Sequence, residues 1–194
     1  MNKGWKGILM KTNRQNYVQS ITISGLLLAL GILLPRAFHM FAGQKIGQIL
    51  LPMHFNVFIA GIFLGPWYGI LIGILTPLLN SLFGAPLFPM NLIMAFELAA
   101  YGFFSGLFMS EKILPKIKVL GKDIKVYLSL LLSMLIGRAV YTVAFLLISG
   151  KILGNPVPKL GAIIISFTSA IPGILLQLIL VPVIVLALKK VMKK

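Results

Sequence analysis

The sequence predicts an all-α integral membrane protein with six transmembrane helices, both termini cytoplasmic, and an outward-facing pocket. Three observations predict it. Of 194 residues, 59% are hydrophobic and mean hydropathy is +1.01, whereas soluble domains are about 45–50% apolar. The formal net charge of +15 comes from 18 basic and 3 acidic residues, and the basic residues cluster between apolar runs rather than within them. Two charges break that rule: Glu97 and Arg138 each stand inside a long apolar run. A charge near a bilayer centre costs about 2.5–3.5 kcal/mol on insertion scales, so such groups face a partner, a wet cavity or a ligand.

The first apolar run, Tyr17–Pro35, is a span long enough to cross the hydrocarbon, which takes roughly 20 residues. No small-x-small cleavage site follows it, so it reads as an uncleaved span rather than a signal peptide. The second, Ile49–Leu64, and the third, Trp67–Phe83, are near the lower limit of about 17 residues. Their shortness predicts burial against neighbours or local thinning of the bilayer. The fourth is Met90–Met109, the fifth Val126–Ser149 and the sixth Gly161–Leu188. The chain is a single transmembrane domain, residues 1–194, with a basic cytoplasmic segment at 1–16. An external segment at 38–50, FHMFAGQKIGQIL, reads either as a lid or as a solvated connector with interfacial aromatics. The loop GAPLFP, Gly84–Pro89, is tight, with Pro86 and Pro89 as punctuation.

Charge sets the orientation. Lys3, Lys6, Lys11 and Arg14 precede the first span. Lys112, Lys116, Lys118, Lys122 and Lys125 separate the fourth from the fifth, and Lys189, Lys190, Lys193 and Lys194 follow the sixth. Six spans place all three groups on one side, which the positive-inside rule makes the cytoplasm. The basic excess is thereby assigned to the bilayer, and no nucleic-acid partner is expected.

Small residues mark packing faces. Gly65, Gly69 and Gly73 recur every four residues, continued by Thr76 and Asn80, and Ala95, Ala99, Gly102 and Gly106 share a face of the fourth span. Small residues at this spacing let helix backbones approach closely in lipid. Glu97 projects from the opposite side, with Met90, Tyr101 and Phe104 near it.

The polar groups gather in the outer half of the membrane. At about 1.5 Å per residue, Glu97 lies roughly 10 Å and Arg138 about 16 Å below the outer ends of their spans. Tyr141, Thr142 and Phe145 share the Arg138 face. Asn80, His54, Asn56 and Asn91 lie near the outer ends of their spans. This asymmetry predicts an outward-facing pocket, with Glu97, Arg138, Tyr141, Thr142, Asn80, Asn91, His54, Asn56 and Tyr101 as its substrate-binding candidates. A structural Glu97–Arg138 ion pair is the alternative.

Other chemistry is not encoded. With no cysteine there are no disulfides or thiolate metal sites, and two histidines without close carboxylates make a poor metal set. No phosphate-binding Gly-x4-Gly-Lys-Ser/Thr loop, catalytic triad or zinc-protease motif is present. No catalytic residue, cofactor or metal is expected. A small intramembrane enzyme with Glu97 as base, and a self-sufficient secondary carrier, are the readings of other classes.

The stretch LPMHFNVFIAGIFLGPWYGILIGILTPLLNSLFGAPLFPMNLIMAFELAAYGFFSGLF, with the basic cytoplasmic ends, resembles the S components of energy-coupling factor (ECF) vitamin importers over roughly residues 18–190. The resemblance implies a non-enzymatic subunit of a prokaryotic plasma membrane that binds a vitamin or precursor tightly. It also implies partners: a membrane scaffold subunit and two ATPases, which carry the ATP hydrolysis. The small-residue face of the first helix, here Gly25 and Ala29, would meet the scaffold. The F-P-M-x…F-E-L-A-x-Y-G segment resembles the group taking up the cobalamin precursor α-ribazole; pantothenate and a thiamin-precursor thiazole are the alternatives.

Overall fold

The computed structural model describes residues 14–43, 52–111, 113–115, 118–119, 122–153, 168 and 171–191. Helix α1 runs Arg14–Ala42, α2 Met53–Leu64, α3 Pro66–Ser81, α4 Met90–Phe108, α5 Lys125–Phe145 and α6 Ile171–Val191. Strands β1 (Lys118–Val119) and β2 (Lys122–Asp123) form a minimal antiparallel ladder between α4 and α5. Among the described residues, four helices are long and apolar enough to cross a membrane: Tyr17–Phe41, Met90–Phe108, Lys125–Ile152 and Ile171–Leu188. Helices α2 and α3 have 12 and 16 residues. At about 1.5 Å per residue they measure roughly 18 and 24 Å, less than the hydrocarbon core of about 30 Å. They are instead the packing centre of the bundle. Val57, Phe58, Ala60 and Ile62 of α2 are buried against Ile72 of α3, Leu98 and Tyr101 of α4, Leu130 and Met134 of α5 and Val181 and Val185 of α6.

The expected glycine seam lies between α3 and α4. A Cβ built on Gly73 would stand 2.5 Å from the Leu98 carbonyl oxygen and 2.6 Å from the Ala99 nitrogen; one on Gly102 would stand 2.7 Å from Gly69 Cα. The two backbones therefore touch, the arrangement small residues permit where lipid supplies no hydrophobic force between helices. Gly106 extends the seam to Gly61 of α2. Gly65 departs from the stripe expected of it. It separates α2 from α3 with φ 101°, a left-handed backbone that glycine adopts without steric cost. Pro66 follows at the first position of α3, where its missing N–H is not needed.

Two helix ends differ from the sequence expectation. The first span was expected to end at Pro35, but α1 continues through it to Ala42. Proline frees the carbonyl four residues earlier. That carbonyl, on Gly31, accepts a hydrogen bond from Asn80 Nδ2 at 3.0 Å, so the helix passes the proline without an orphaned group. Phe38–Ala42 of the expected external loop are therefore helical, and residues 44–50 of that loop lie outside the described residues. At its C-terminal end α5 continues as a π-helical segment, Leu146–Ile152, past the expected end at Ser149. Lys125, expected in the basic loop, opens α5 and is buried.

Candidate functional site

Glu97 and Arg138 meet. Helix α4 presents Glu97 and, one turn on, Tyr101; helix α5 presents Arg138 and, three residues on, Tyr141. Arg138 Nη1 stands 3.1 Å from Glu97 Oε1, and the Tyr101 hydroxyl donates to the same oxygen at 2.7 Å. Glu97 is 2% exposed and Arg138 11%. A carboxylate so buried is tolerated only with such partners, because an unpaired charge in low dielectric is far costlier than a paired one. Both of these contacts fall on Oε1.

Aromatic rings close around the pair. Tyr101 packs against His54 and Phe58 of α2, with ring centroids 5.4 and 5.1 Å apart. The Arg138 guanidinium carbon is 5.9 Å from the Tyr141 ring centroid. Tyr141 stacks on Phe145 at 6.1 Å and donates to Met90 Sδ at 3.7 Å. The collar therefore carries rings with polar tips, which supply large apolar area together with hydrogen bonding.

The order of the helices sets the level of this collar within the bundle. Gly61 of α2 lies against Gly102 and Ser105 of α4. Met53 is then level with roughly residue 95, and α2 starts about 7 Å short of the start of α4, at about 1.5 Å per residue. The first turn of α2, bearing His54, stands beside the Glu97 turn.

Of the nine expected ligand residues, five come together: His54, Glu97, Tyr101, Arg138 and Tyr141. Asn56 and Asn80 lie elsewhere, in a polar seam among α1, α2 and α3. Asn56 Nδ2 donates to Thr76 Oγ1 at 3.0 Å, and Asn80 Nδ2 to the Gly31 and Thr76 carbonyls. Asn91 Oδ1 accepts its neighbour's Leu92 N–H, and Thr142 Oγ1 donates back to the Arg138 carbonyl. Sequence reasoning missed Gly137. A Cβ there would strike the Tyr101 ring, so glycine at this position is what lets the tyrosine reach Glu97. A glycine directly before an intramembrane arginine was the available signal. Met90 was visible only through its projection near Glu97, and Phe58 carried no signal beyond its apolarity. No group of three or more histidine, cysteine or carboxylate side chains that could hold a metal occurs among the described residues.

Long apolar helices enclosing a buried, ring-lined ion pair define an all-helical membrane protein. Comparison with protein families matches residues 19–185 to the ECF transporter, substrate-specific component. The chain belongs to that family and is a substrate-binding membrane subunit of an ECF importer, not a catalytic one. A small-molecule substrate and the ECF module are the partners that membership implies. No curated protein and no solved structure matches the chain.

Proposed function

We propose that this subunit captures α-ribazole, an uncharged cobalamin precursor, in an outward-facing cup whose floor is the Glu97–Arg138 pair. The observation that carries the substrate class is that pair. Arg138 is met by a carboxylate within the protein, so an anion such as pantothenate would have to displace Glu97 and leave it buried without its partner. A neutral heteroaromatic ligand faces no such cost. Tyr141 and Phe145, both partly exposed, offer faces for a ring, and the Glu97 carboxylate offers an acceptor for a ribose hydroxyl.

The cup opens outward if all six helices cross and the three lysine-rich segments face the cytoplasm, as the positive-inside rule requires. The recessed start of α2 supports such an opening. Helix α1 supports the docking role expected of Gly25 and Ala29. Both are exposed, a Cβ on Gly25 would meet nothing within 4 Å, and they lie on the side away from the buried Leu27, Gly31 and Pro35.

Titration calorimetry of the purified chain against α-ribazole, pantothenate and the thiamin-precursor thiazole tests the assignment without ATP. Stoichiometric submicromolar binding of α-ribazole is expected, with the other two silent. Tight pantothenate binding would overturn the argument from the closed ion pair.

A further inference from the structure

We propose that Asn80 is a positioning residue for partner docking: it latches the outer half of α1 to the bundle by bonding the one carbonyl that Pro35 leaves open. Helix α1 is attached unevenly. From Tyr17 to Leu26 no residue is buried; beyond that, among the described side chains of α1, only Leu27, Gly31 and Pro35 are, at four-residue intervals. The inner half, with Tyr17, Val18, Ile21 and Leu26, is uncovered. Attachment is concentrated at Gly31–Arg36. The Gly31 carbonyl accepts from Asn80 Nδ2, itself 3% exposed. Gly31 also lacks the Cβ that would stand 2.7 Å from Asn56 Cγ. Arg36 lies over the Phe83 ring, its guanidinium carbon 3.9 Å from the centroid.

Asn56, Thr76 and Asn80 form one chain of bonds behind this contact. Thr76 Oγ1 receives Asn56 Nδ2 and donates to the Ile72 carbonyl at 2.7 Å; Asn80 Nδ2 also reaches the Thr76 carbonyl at 2.8 Å. The apolar contacts of α1 are too few to fix its direction, because lipid competes equally for leucine and isoleucine. A hydrogen bond to a backbone group that cannot bond within its own helix is directional, and lipid offers no substitute. The latch therefore sets the angle at which α1 presents its uncovered inner half, including Gly25, to the ECF scaffold subunit.

This inference rests on the family's assembly for its consequence and on Pro35 for its test. In Pro35→Ala, residue 35 gains an N–H that bonds Gly31 within the helix, and Asn80 becomes dispensable. Four forms are compared: the parent chain, Asn80→Ala, Pro35→Ala and the double variant. Capture by the purified scaffold–ATPase module is expected to weaken about tenfold in Asn80→Ala. It should return to within about twofold of the Pro35→Ala value in the double variant, with the affinity of the isolated subunit for its ligand unchanged throughout. Equal losses in both proline backgrounds would overturn the latch, as would a fall in ligand affinity with capture intact. A second readout needs no partner. Spin labels at Val18→Cys and Leu135→Cys, both exposed positions in a cysteine-free chain, should give a distance distribution that broadens in Asn80→Ala and narrows again in the double variant. An unchanged distribution would overturn the latch. Failure of the parent chain to join the module would instead count against the assembly reading and leave the spin-label result to decide the latch.

Discussion

Leucine at position 102 is expected to prevent the bundle from assembling. Gly102 and Gly69 meet backbone to backbone, so a Cβ on residue 102 would lie 2.7 Å from Gly69 Cα. Overpacking a core usually costs about 1–3 kcal/mol, because flexible side chains yield. Here the obstacle is main chain on two rigid helices, and relief requires α3 to part from α4. That separation would carry away the contacts of Gly73 with Leu98 and Ala99. Gly102→Leu should give aggregated material in size-exclusion chromatography, with no cooperative melt. Ala139→Leu, on an exposed face of α5, should elute and melt like the parent. A monodisperse, parent-like Gly102→Leu protein would mean that the helices do not approach as described.

Arg138→Ala is expected to be more damaging than the loss of both charges. It removes the cation 3.1 Å from Glu97 and leaves a carboxylate that is 2% exposed with the Tyr101 hydroxyl as its remaining donor among those described. Breaking a buried pair by deleting one partner costs about 3–5 kcal/mol, while replacing both partners by groups of similar volume is often neutral. Glu97→Gln with Arg138→Met should therefore restore most of the melting temperature lost in Arg138→Ala. Thermal melts in detergent of Glu97→Gln, Arg138→Met and the double variant read this coupling directly. Simple additivity would show that the two side chains do not interact.

Much of this arrangement was legible from residue order, for a physical reason. Lipid forces apolar runs, so helices and out-of-place charges stand out against them. Glu97 and Arg138 were conspicuous because their neighbours are leucine, methionine and phenylalanine. Their pairing stood only as the alternative reading, since sequence gives depth along each helix but not the rotation of one helix against another. The same gap explains Asn56 and Asn80. Polar and near the outer ends of their spans, they read as pocket lining; in space they turn toward α1. Pro35 read as a helix end because its broken backbone bond is local, whereas the repair comes from a side chain 49 residues away in sequence. Gly65 fitted a four-residue stripe by spacing alone, and only its φ of 101° separates a turn from a seam. Residues 44–50 of the segment that reads as lid or connector, and residues 161–167 at the start of the expected sixth span, lie outside the described residues.

The central claim is that the buried carboxylate and guanidinium serve the ligand as well as each other. It is tested most directly by titrating α-ribazole into the Glu97→Gln/Arg138→Met protein, once its melt has been shown to match the parent. The prediction is a folded subunit whose affinity has dropped by about a hundredfold, the loss expected when a buried polar contact of about 2.7 kcal/mol disappears. A stable double variant that binds the ligand as tightly as the parent would contradict the account and reduce the pair to a structural clasp between α4 and α5.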